Sequence, residues 1–518
     1  MHTMLRIFNS LSKTVEDFKP LHDKRVGMYT CGPTVYNFAH IGNFRTYTVS
    51  DVLVRTLKAN AYDVEYVMNL TDVGHLTGDN AGDADTGEDR MEKAAQKEGR
   101  TAWEVAQFYT DAFLEDFEAL NLSMPQHLVR ATDHIKEQID LVKTLEEKGY
   151  TYETSDGIYF DTSRDKDYGK LSDLDQIREG ARVEVNPEKK NQRDFALWKF
   201  SYPGGRSFDS AQDDVSTKRQ MEWQSPWGIG FPGWHIECSA MSMKYLGDTL
   251  DIHAGGIDLK QTHHPNEIAQ SESATGKKFA RYWMHVAFVL VQGERMSKSV
   301  GNTYRVYDLT KMGYHPMSLR YLYLQTHYRQ EMNFTFPALD GAENALKKLY
   351  TEAATWGELD ARLSAPAVAD NGGQARLLTP EHPPATYSQA LRAGSDGGRG
   401  NVPTYEEKFL DALNNDLNTS EALAVMWELV KSDYPSGAKL ASLFKMDEVL
   451  GLKIKEAIQT IRENEGIVPD HIKALVAERE HHRKNRRFSM ADKVRAELKK
   501  LGYEVEDSKK GPKIKRIT

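Results

Sequence analysis

Cysteine is almost absent from this chain: Cys31 and Cys238 are the only two in 518 residues. So few thiols give no disulfide framework and point to a reducing, cytosolic compartment. Long apolar runs are missing as well. No stretch approaches the ~18 residues of a membrane span. The start, Met1-His2-Thr3-Met4-Leu5-Arg6, lacks the apolar segment of a secretory signal. Positive charge is short overall, with a net charge of −9, but it is unevenly spread. Residues 471–518 hold 15 Lys/Arg against 7 Asp/Glu, which makes this end +8 and the rest −17. A basic tail on an acidic body suggests a local surface for a polyanion.

What is present is a globular composition, 40% hydrophobic and 28% charged. The length exceeds one ordinary core, so two to four domains are expected. The N-terminal part reads as α/β. Val26-Gly27-Met28-Tyr29 is a short strand, a loop with Gly32-Pro33-Thr34 follows, a helix covers about 42–59, and Val64-Glu65-Tyr66-Val67-Met68-Asn69-Leu70 is a second strand. This pattern predicts a parallel sheet with ligands at the strand carboxyl ends. Cys31, Thr34, His40 and Thr71 then share one rim. The acidic stretch 79–89 lacks calcium-loop spacing and reads as a solvated loop.

Residues from about 120 to 200 read as an inserted unit, with Gly157-Ile158-Tyr159-Phe160-Asp161 and Asp194-Phe195-Ala196-Leu197-Trp198-Lys199 as its strand-like runs. The polar stretch 204–220 reads as a surface insertion, and 363–403, rich in Pro, Gly, Ala and Ser, as a flexible loop. From Pro337 onward the pattern is helical. Leu423, Met426, Trp427 and Val430 keep i, i+3, i+4, i+7 behind the capping run Asn418-Thr419-Ser420, a core stripe.

Three groups carry chemistry. His40-Ile41-Gly42-Asn43 opens the first helix, where the dipole and free backbone N–H groups favour a phosphate. His40 and Asn43 can donate to the same anion, and Gly42 admits a flat base close to the backbone. The second group, Glu294-Arg295-Met296-Ser297-Lys298-Ser299, is a short loop suited to closing over a triphosphate, with Lys298 against charge developing in phosphoryl chemistry. The third joins Cys31 and Cys238 to His263-His264-Pro265-Asn266-Glu267. Two thiols, a histidine and a glutamate four residues beyond it make one tetrahedral zinc set. His264 is the rival ligand, but His263 stands one helical turn before Glu267 and is favoured.

The first two groups, reading HIGN and RMSKS, resemble the paired HIGH and KMSKS signatures of class I aminoacyl-tRNA synthetases, about 250 residues apart. Asn for the final His keeps a donor, and Arg for the first Lys keeps the charge. The runs Tyr29-Thr30-Cys31-Gly32-Pro33-Thr34-Val35-Tyr36 and Gly233-Trp234-His235-Ile236-Glu237-Cys238-Ser239-Ala240-Met241 closely resemble the cysteinyl-tRNA synthetase family, a similarity that covers most of the chain. The resemblance implies activation of L-cysteine with ATP and Mg2+ and transfer to the 3′ end of tRNA(Cys). It also implies one zinc per chain, held by Cys31, Cys238, His263 and Glu267, at the substrate's sulfur. Serine matches cysteine in shape, so an apolar pocket separates them poorly, whereas zinc prefers thiolate to hydroxyl.

By the same resemblance, His40, Asn43 and Lys298 are catalytic. The ATP site comprises His40, Gly42, Asn43, Asp258, Arg295, Met296, Ser297, Lys298 and Ser299, with Asp258, in His253-Ala254-Gly255-Gly256-Ile257-Asp258-Leu259, on the ribose. Thr71 and Trp234 belong to the amino-acid pocket. The C-terminal end resembles the family's anticodon-binding region, with Arg483, Arg486, Arg487 and Phe488 placed on one helix as tRNA contacts and Lys509 and Lys510 near the backbone. Many family members carry Trp where Phe488 stands, and another in the closing strand, where this chain has Pro512-Lys513-Ile514-Lys515-Arg516.

The expected architecture is α/β: a class I nucleotide-binding (Rossmann-like) catalytic domain at 1–120 and 201–290, interrupted by a connective insertion at 121–200. A KMSKS loop and stem-contact region at 291–336, a helical bundle at 337–465 and a small basic anticodon-binding domain at 466–518 follow. The chain is expected to act as a cytoplasmic monomer. A mycothiol-type cysteine:aminosugar ligase shares the catalytic half but does not need the long basic C-terminal region. A non-catalytic RNA-binding relative does not need His40 and Lys298.

Overall fold

Five parallel strands frame the candidate site: β1 (Arg25–Thr30), β2 (Asp63–Leu70), β3 (His127–Arg130), β4 (Leu250–Gly256) and β5 (Ala280–Val286). The structure is a computed structural model that describes residues 4–74, 76, 89–172, 186–202, 219–296, 301–356, 404–466, 470–485, 487–508 and 511–517. Nearly all of the acidic stretch 79–89, almost the whole insertion at 204–220 and the loop at 363–403 lie outside the described residues. So do Ser297, Lys298, Ser299, Arg486, Lys509 and Lys510.

The strand order is β5-β4-β1-β2-β3, all parallel. The chain runs outward from β1 to β2 and β3, then returns on the other side of β1 as β4 and β5. The carboxyl ends of β1 and β4 therefore form a topological switch point, where open α/β sheets bind ligands. The strands are apolar with little alternation: Val26, Met28 and Tyr29 in β1 and Val64, Tyr66, Val67 and Met68 in β2 are all buried. A sheet covered on both faces requires that pattern.

Helix α1 (Ile41–Ala59) carries the chain from β1 to β2. It is fixed by buried polar residues as much as by apolar packing. The Arg45 guanidinium donates to the carbonyls of Ala287 (2.9 Å), Phe288 (3.0 Å), His327 (3.1 Å) and Gln330 (2.8 Å), tying the start of α1 to the segment after β5. Asp51, buried on the same helix, accepts from Arg55 at 2.9 Å and Arg320 at 2.5 Å. Burial alone raises its pKa, but the two guanidinium groups outweigh that and hold it below the usual range.

Helices α2 (Trp234–Leu246) and α3 (His263–Thr275) bury most of their residues. Small residues let them approach: Ser239 Oγ lies 2.7 Å from Gln270 Nε2 and 2.8 Å from Ser271 Oγ. An antiparallel sheet packs against this pair, with Phe160, Phe195, Leu197 and Trp198 meeting Ile236, Ala240 and Ala269 in one core. Its strands run in the order Thr151–Thr154, Gly157–Phe160, Phe195–Phe200, Gly228–Pro232, Trp223–Ser225.

Two expected boundaries need correction. His127–Arg130 falls within the expected insertion at 121–200, yet it pairs with β2 as the edge strand of the parallel sheet. The antiparallel sheet, in turn, runs past residue 200 to Pro232. A four-residue edge strand and a sheet closed by late strands leave no compositional break for sequence to register.

By compactness the chain divides into two units: Met1–Glu343 with Pro384–Ser432 and Lys445–Leu452, and Asn344–Pro383 with Asp433–Phe444 and Lys453–Thr518. In the first, Asn418 caps the helix Thr419–Lys431, accepting from Glu421 N–H. Leu423, Met426 and Val430 are buried, while half-buried Trp427 donates to Tyr321 Oη at 2.8 Å. In the second, helices Asp470–Lys484 and Phe488–Lys500 and the hairpin Tyr503–Ser508/Gly511–Arg516 enclose Ile472, Val476, Val494, Leu498 and Val505. The single helix expected through Arg483, Arg487 and Phe488 is thus two. The break at Asn485 and Arg487 lets the chain fold back and bury both apolar faces around one core.

No helix among the described residues is long and apolar enough to cross a membrane.

Candidate active site

Cys31 follows β1, Cys238 lies in the second turn of α2, and His263 and Glu267 stand one turn apart at the start of α3. These elements meet at the switch point, and one ligand atom from each of the four side chains lies within 4.8 Å of the others. Cys31 Sγ is 3.9 Å from Cys238 Sγ and 3.7 Å from Glu267 Oε1, and His263 Nε2 is 3.0 Å from that same oxygen. All four are buried. A second set, Cys31, His253, His264 and Glu267, converges equally closely, with His264 Nε2 3.4 Å from Cys31 Sγ. Only the first contains both thiols. Two sulfurs, an imidazole and a carboxylate in a dry site fit a soft or borderline divalent cation.

The electrostatics suit the same donors. Burial pushes the Cys31 thiol well up, reinforced by Cys238 beside it. Cys238 moves the other way: against burial, the Cys31 thiol and His263 bring it down to about 6. Glu267 is held at about 2, where His253 and His263 overcome the burial cost, and His263 is raised to about 10 as Glu267 and Cys238 overcome its own. A bound metal displaces the protons of its thiol and imidazole ligands.

Three further histidines surround this cluster. His253 Nε2 lies 2.8 Å from Glu267 Oε2, orienting the carboxylate so that Oε1 faces His263 and Cys31. His235 Nδ1 meets His263 Nδ1 at 3.0 Å, and His285 Nε2 meets His264 Nδ1 at 2.9 Å while its Nδ1 reaches Ser10 Oγ at 2.8 Å. Partners of this kind fix ring orientation and tautomer. Sequence reasoning assigned none of the three a role. His235 and His253 adjoin residues that were singled out, but His285 has no local signal: it arrives from β5.

The His40-Ile41-Gly42-Asn43 turn is a reciprocal cap. His40 Nδ1 accepts from the N–H groups of Gly42 (3.1 Å) and Asn43 (3.3 Å), and Asn43 Oδ1 accepts from His40 N–H (3.0 Å). Ile41 N–H donates to Tyr304 O at 2.9 Å. The expectation of free backbone N–H groups for a phosphate is therefore corrected, because the first turn uses its own. An imidazole accepting at Nδ1 carries its proton on Nε2, and an amide accepting at Oδ1 has donors left on Nδ2. A Cβ on Gly42 would stand 2.4 Å from Met296 Cε and 3.0 Å from the His40 ring. Gly42 thus accommodates Met296 and brings the two motifs into contact.

The remaining expected residues are spread around this rim. The Trp234 ring lies 4.3 Å from that of His263. Buried Thr71 accepts from Asn69 Nδ2 at 3.0 Å and bridges to Thr34. Asp258 is exposed in the turn after β4, its carboxylate folded over Gly256, where a Cβ would lie 2.3 Å from Oδ1. Arg295 sits with its guanidinium 4.4 Å above the Phe288 ring. In the second unit Phe488 is 61% exposed, Arg487 is exposed, and Arg483 is paired with Asp507.

The catalytic-domain model of class I (C) tRNA synthetases matches residues 17–344, so the parallel sheet and its rim are the catalytic fold of class I synthetases. A cysteinyl-tRNA ligase anticodon-binding domain matches 467–512 and a DALR domain 408–432. The cysteine–tRNA ligase 1 of Burkholderia lata is 42% identical over 98% of this chain and 96% of its own length. That of Treponema denticola is 39% identical over 97% and 98%. The chain belongs to the cysteine–tRNA ligase family. Among solved structures, a methionyl-tRNA synthetase from Mycobacterium tuberculosis with methionyl-adenylate shares the fold at a TM-score of 0.51 and 16% identity, covering 86% of this chain and 94% of that one.

Proposed function

We propose that the chain activates L-cysteine with ATP to give cysteinyl-adenylate and pyrophosphate, then passes the cysteinyl group to the 3′ end of tRNA(Cys). The observation that carries this reading is the convergence of Cys31, Cys238, His263 and Glu267 at the switch point of a class I sheet. These four would hold zinc, which when bound supplies a site for the substrate thiolate that serine's hydroxyl does not satisfy. Trp234 walls the same pocket, and Thr71 meets the polar end of the substrate.

The remaining steps belong to the chain's own residues. His40 Nε2 and Asn43 Nδ2 donate to phosphate oxygens as the substrate carboxylate attacks. Asp258 accepts from the ribose hydroxyls, and Arg295, Met296, Ser297 and Ser299 close over the triphosphate, which enters with Mg2+. Lys298 stabilises the charge of the departing pyrophosphate; a preorganised donor of this kind is worth about 3–4 kcal/mol in the transition state. Attacking and leaving groups both come from the substrates, so orientation supplies much of the rate. The basic end, with Arg483, Arg486, Arg487 and Phe488, engages the tRNA away from its 3′ terminus. A full-length match to tRNA ligases, including the anticodon-binding segment, favours this over an aminosugar acceptor. The domain limits 1–120, 121–200, 201–290, 291–336, 337–465 and 466–518 are part of the proposal with the two corrections above, as is a cytoplasmic, monomeric protein.

The test is ATP–pyrophosphate exchange by the zinc-loaded chain. Cysteine is expected to support exchange ~10⁴-fold more efficiently than serine, the range reached by sites built around one polar group. Comparable exchange with the two amino acids contradicts the reading.

A further inference from the structure

Beside the His40 turn, six side chains form a ladder in which cations and aromatic rings alternate. Lys311 Nζ lies 4.6 Å from the centre of the Tyr307 ring, and the Arg305 guanidinium lies 5.1 Å from the same ring. Arg305 also stacks on Phe38 at 3.5 Å. The Phe38 ring meets that of Phe108 edge-on at 5.8 Å, and the Arg100 guanidinium stands 4.4 Å over Phe108. Three segments far apart in sequence supply these residues: the loop after Cys31, the helix Ala102–Ala119 with its approach, and the short helix Val306–Lys311 with its approach.

Phe38 stands two residues before the His40 cap. Arg305 directly follows Tyr304, whose carbonyl accepts from Ile41 N–H at 2.9 Å. The middle of the ladder therefore flanks the start of α1, and its ends are open to solvent. Phe108 is 40% and Tyr307 44% exposed, and Arg100 and Lys311 are exposed as well. Contacts between a cation and a ring add little stability at exposed sites. Large rings gathered in water mark an interaction surface more often than a fold requirement. Two acids stand nearby: Glu98 is 3.6 Å from Arg100, and Asp116 is 3.9 Å from Arg305. Each steadies one guanidinium, a group whose several N–H donors leave some for a further partner.

Alternating rings and cations suit unpaired RNA, whose bases stack on the rings while the cations meet the phosphates between them. A duplex offers no free base faces to such a surface. On the proposed function, on which this inference rests, the single-stranded 3′ end of the tRNA must bring its last ribose to the adenylate beside His40. We propose that this ladder holds the unpaired 3′ end of the tRNA, with Phe108 and Tyr307 as stacking platforms and Arg100, Arg305 and Lys311 on its phosphates. It serves the transfer step alone, since cysteine and ATP need none of these side chains to form the adenylate.

The test measures binding of two RNAs to the full zinc-loaded chain: intact tRNA(Cys), and the same tRNA with its unpaired 3′ nucleotides removed. The unmodified chain is expected to bind the intact tRNA ~10–100-fold more tightly, the range for a stacked base. In the double variant Phe108→Ala/Tyr307→Ala that ratio falls toward one, through weaker binding of the intact tRNA with the shortened one unchanged. The pair Phe108→Tyr/Tyr307→Phe keeps both rings and retains the ratio. Cysteine-dependent exchange without tRNA stays at its full rate in both, while kcat/KM for charging falls with the ratio in the alanine pair. A merely structural ladder weakens both RNAs alike or lowers exchange, and either result overturns the proposal. So does an unchanged ratio in the alanine pair, or a ratio near one in the unmodified chain. If the unmodified chain supported neither exchange nor charging, the proposed function itself would fail, a result distinct from an unaltered ratio in the variants.

Discussion

Cys238→Ser is expected to strip the site of its metal and of its preference for cysteine while leaving the fold intact. Serine is nearly isosteric with cysteine, and Cys238 sits in a packed helix with only 1% exposure, so neither a cavity nor a clash follows. What changes is the donor. The Cys238 thiol is brought down to about 6 by Cys31 and His263 against the cost of burial, whereas a serine hydroxyl offers a metal a hard oxygen that stays protonated. The cluster then loses one of its two sulfurs, and Cys31 loses the neighbour 3.9 Å away. Loss of a ligand should exceed the ~10–100-fold that loss of a supporting partner costs in metal affinity. Zinc content by elemental analysis is expected to fall well below one per chain. The cysteine-over-serine ratio in exchange is expected to drop from ~10⁴ toward the ~10² that pocket shape alone supplies. Full zinc content with an unchanged ratio would show that the ligands were misassigned.

Deleting residues 467–518 is expected to separate the two half-reactions. The removed segment encloses its own core, Ile472, Val476, Val494, Leu498 and Val505, and contributes none of the four clustered ligands. Cysteine-dependent exchange should therefore persist at close to its full rate. Charging of tRNA(Cys) should fall ~100-fold in kcat/KM, equivalent to one or two lost base contacts at roughly 1–3 kcal/mol each. Equal loss of exchange and charging would contradict the role given to this end of the chain.

The sequence made some of this legible, and the reasons differ by residue. β1, α1 and β2 follow from local periodicity, and their connection implies the rim on which Cys31 and His40 lie. The helical spacing of His263 and Glu267 places both on one face of α3. The His40 turn was harder to read. Capping rules favour Ser, Thr, Asp and Asn, so the capping role that His40 Nδ1 takes has no signal in the sequence. The contact of Met296 with Gly42 joins residues far apart in the chain and has no local pattern. His285 is invisible for a related reason: it looks like an ordinary strand residue until the sheet brings it to His264. β3 went unrecognised because four residues at a sheet edge carry too little periodicity to separate from the helices around them.

The central claim is that this chain joins cysteine to tRNA through an adenylate formed beside the Cys31/Cys238 cluster. It is tested most directly by incubating the zinc-loaded full chain with ATP, Mg2+ and labelled cysteine, with tRNA(Cys) and an aminosugar acceptor in parallel. The account predicts label on the 3′ end of the tRNA and none on the sugar. Label on the aminosugar with uncharged tRNA would contradict it.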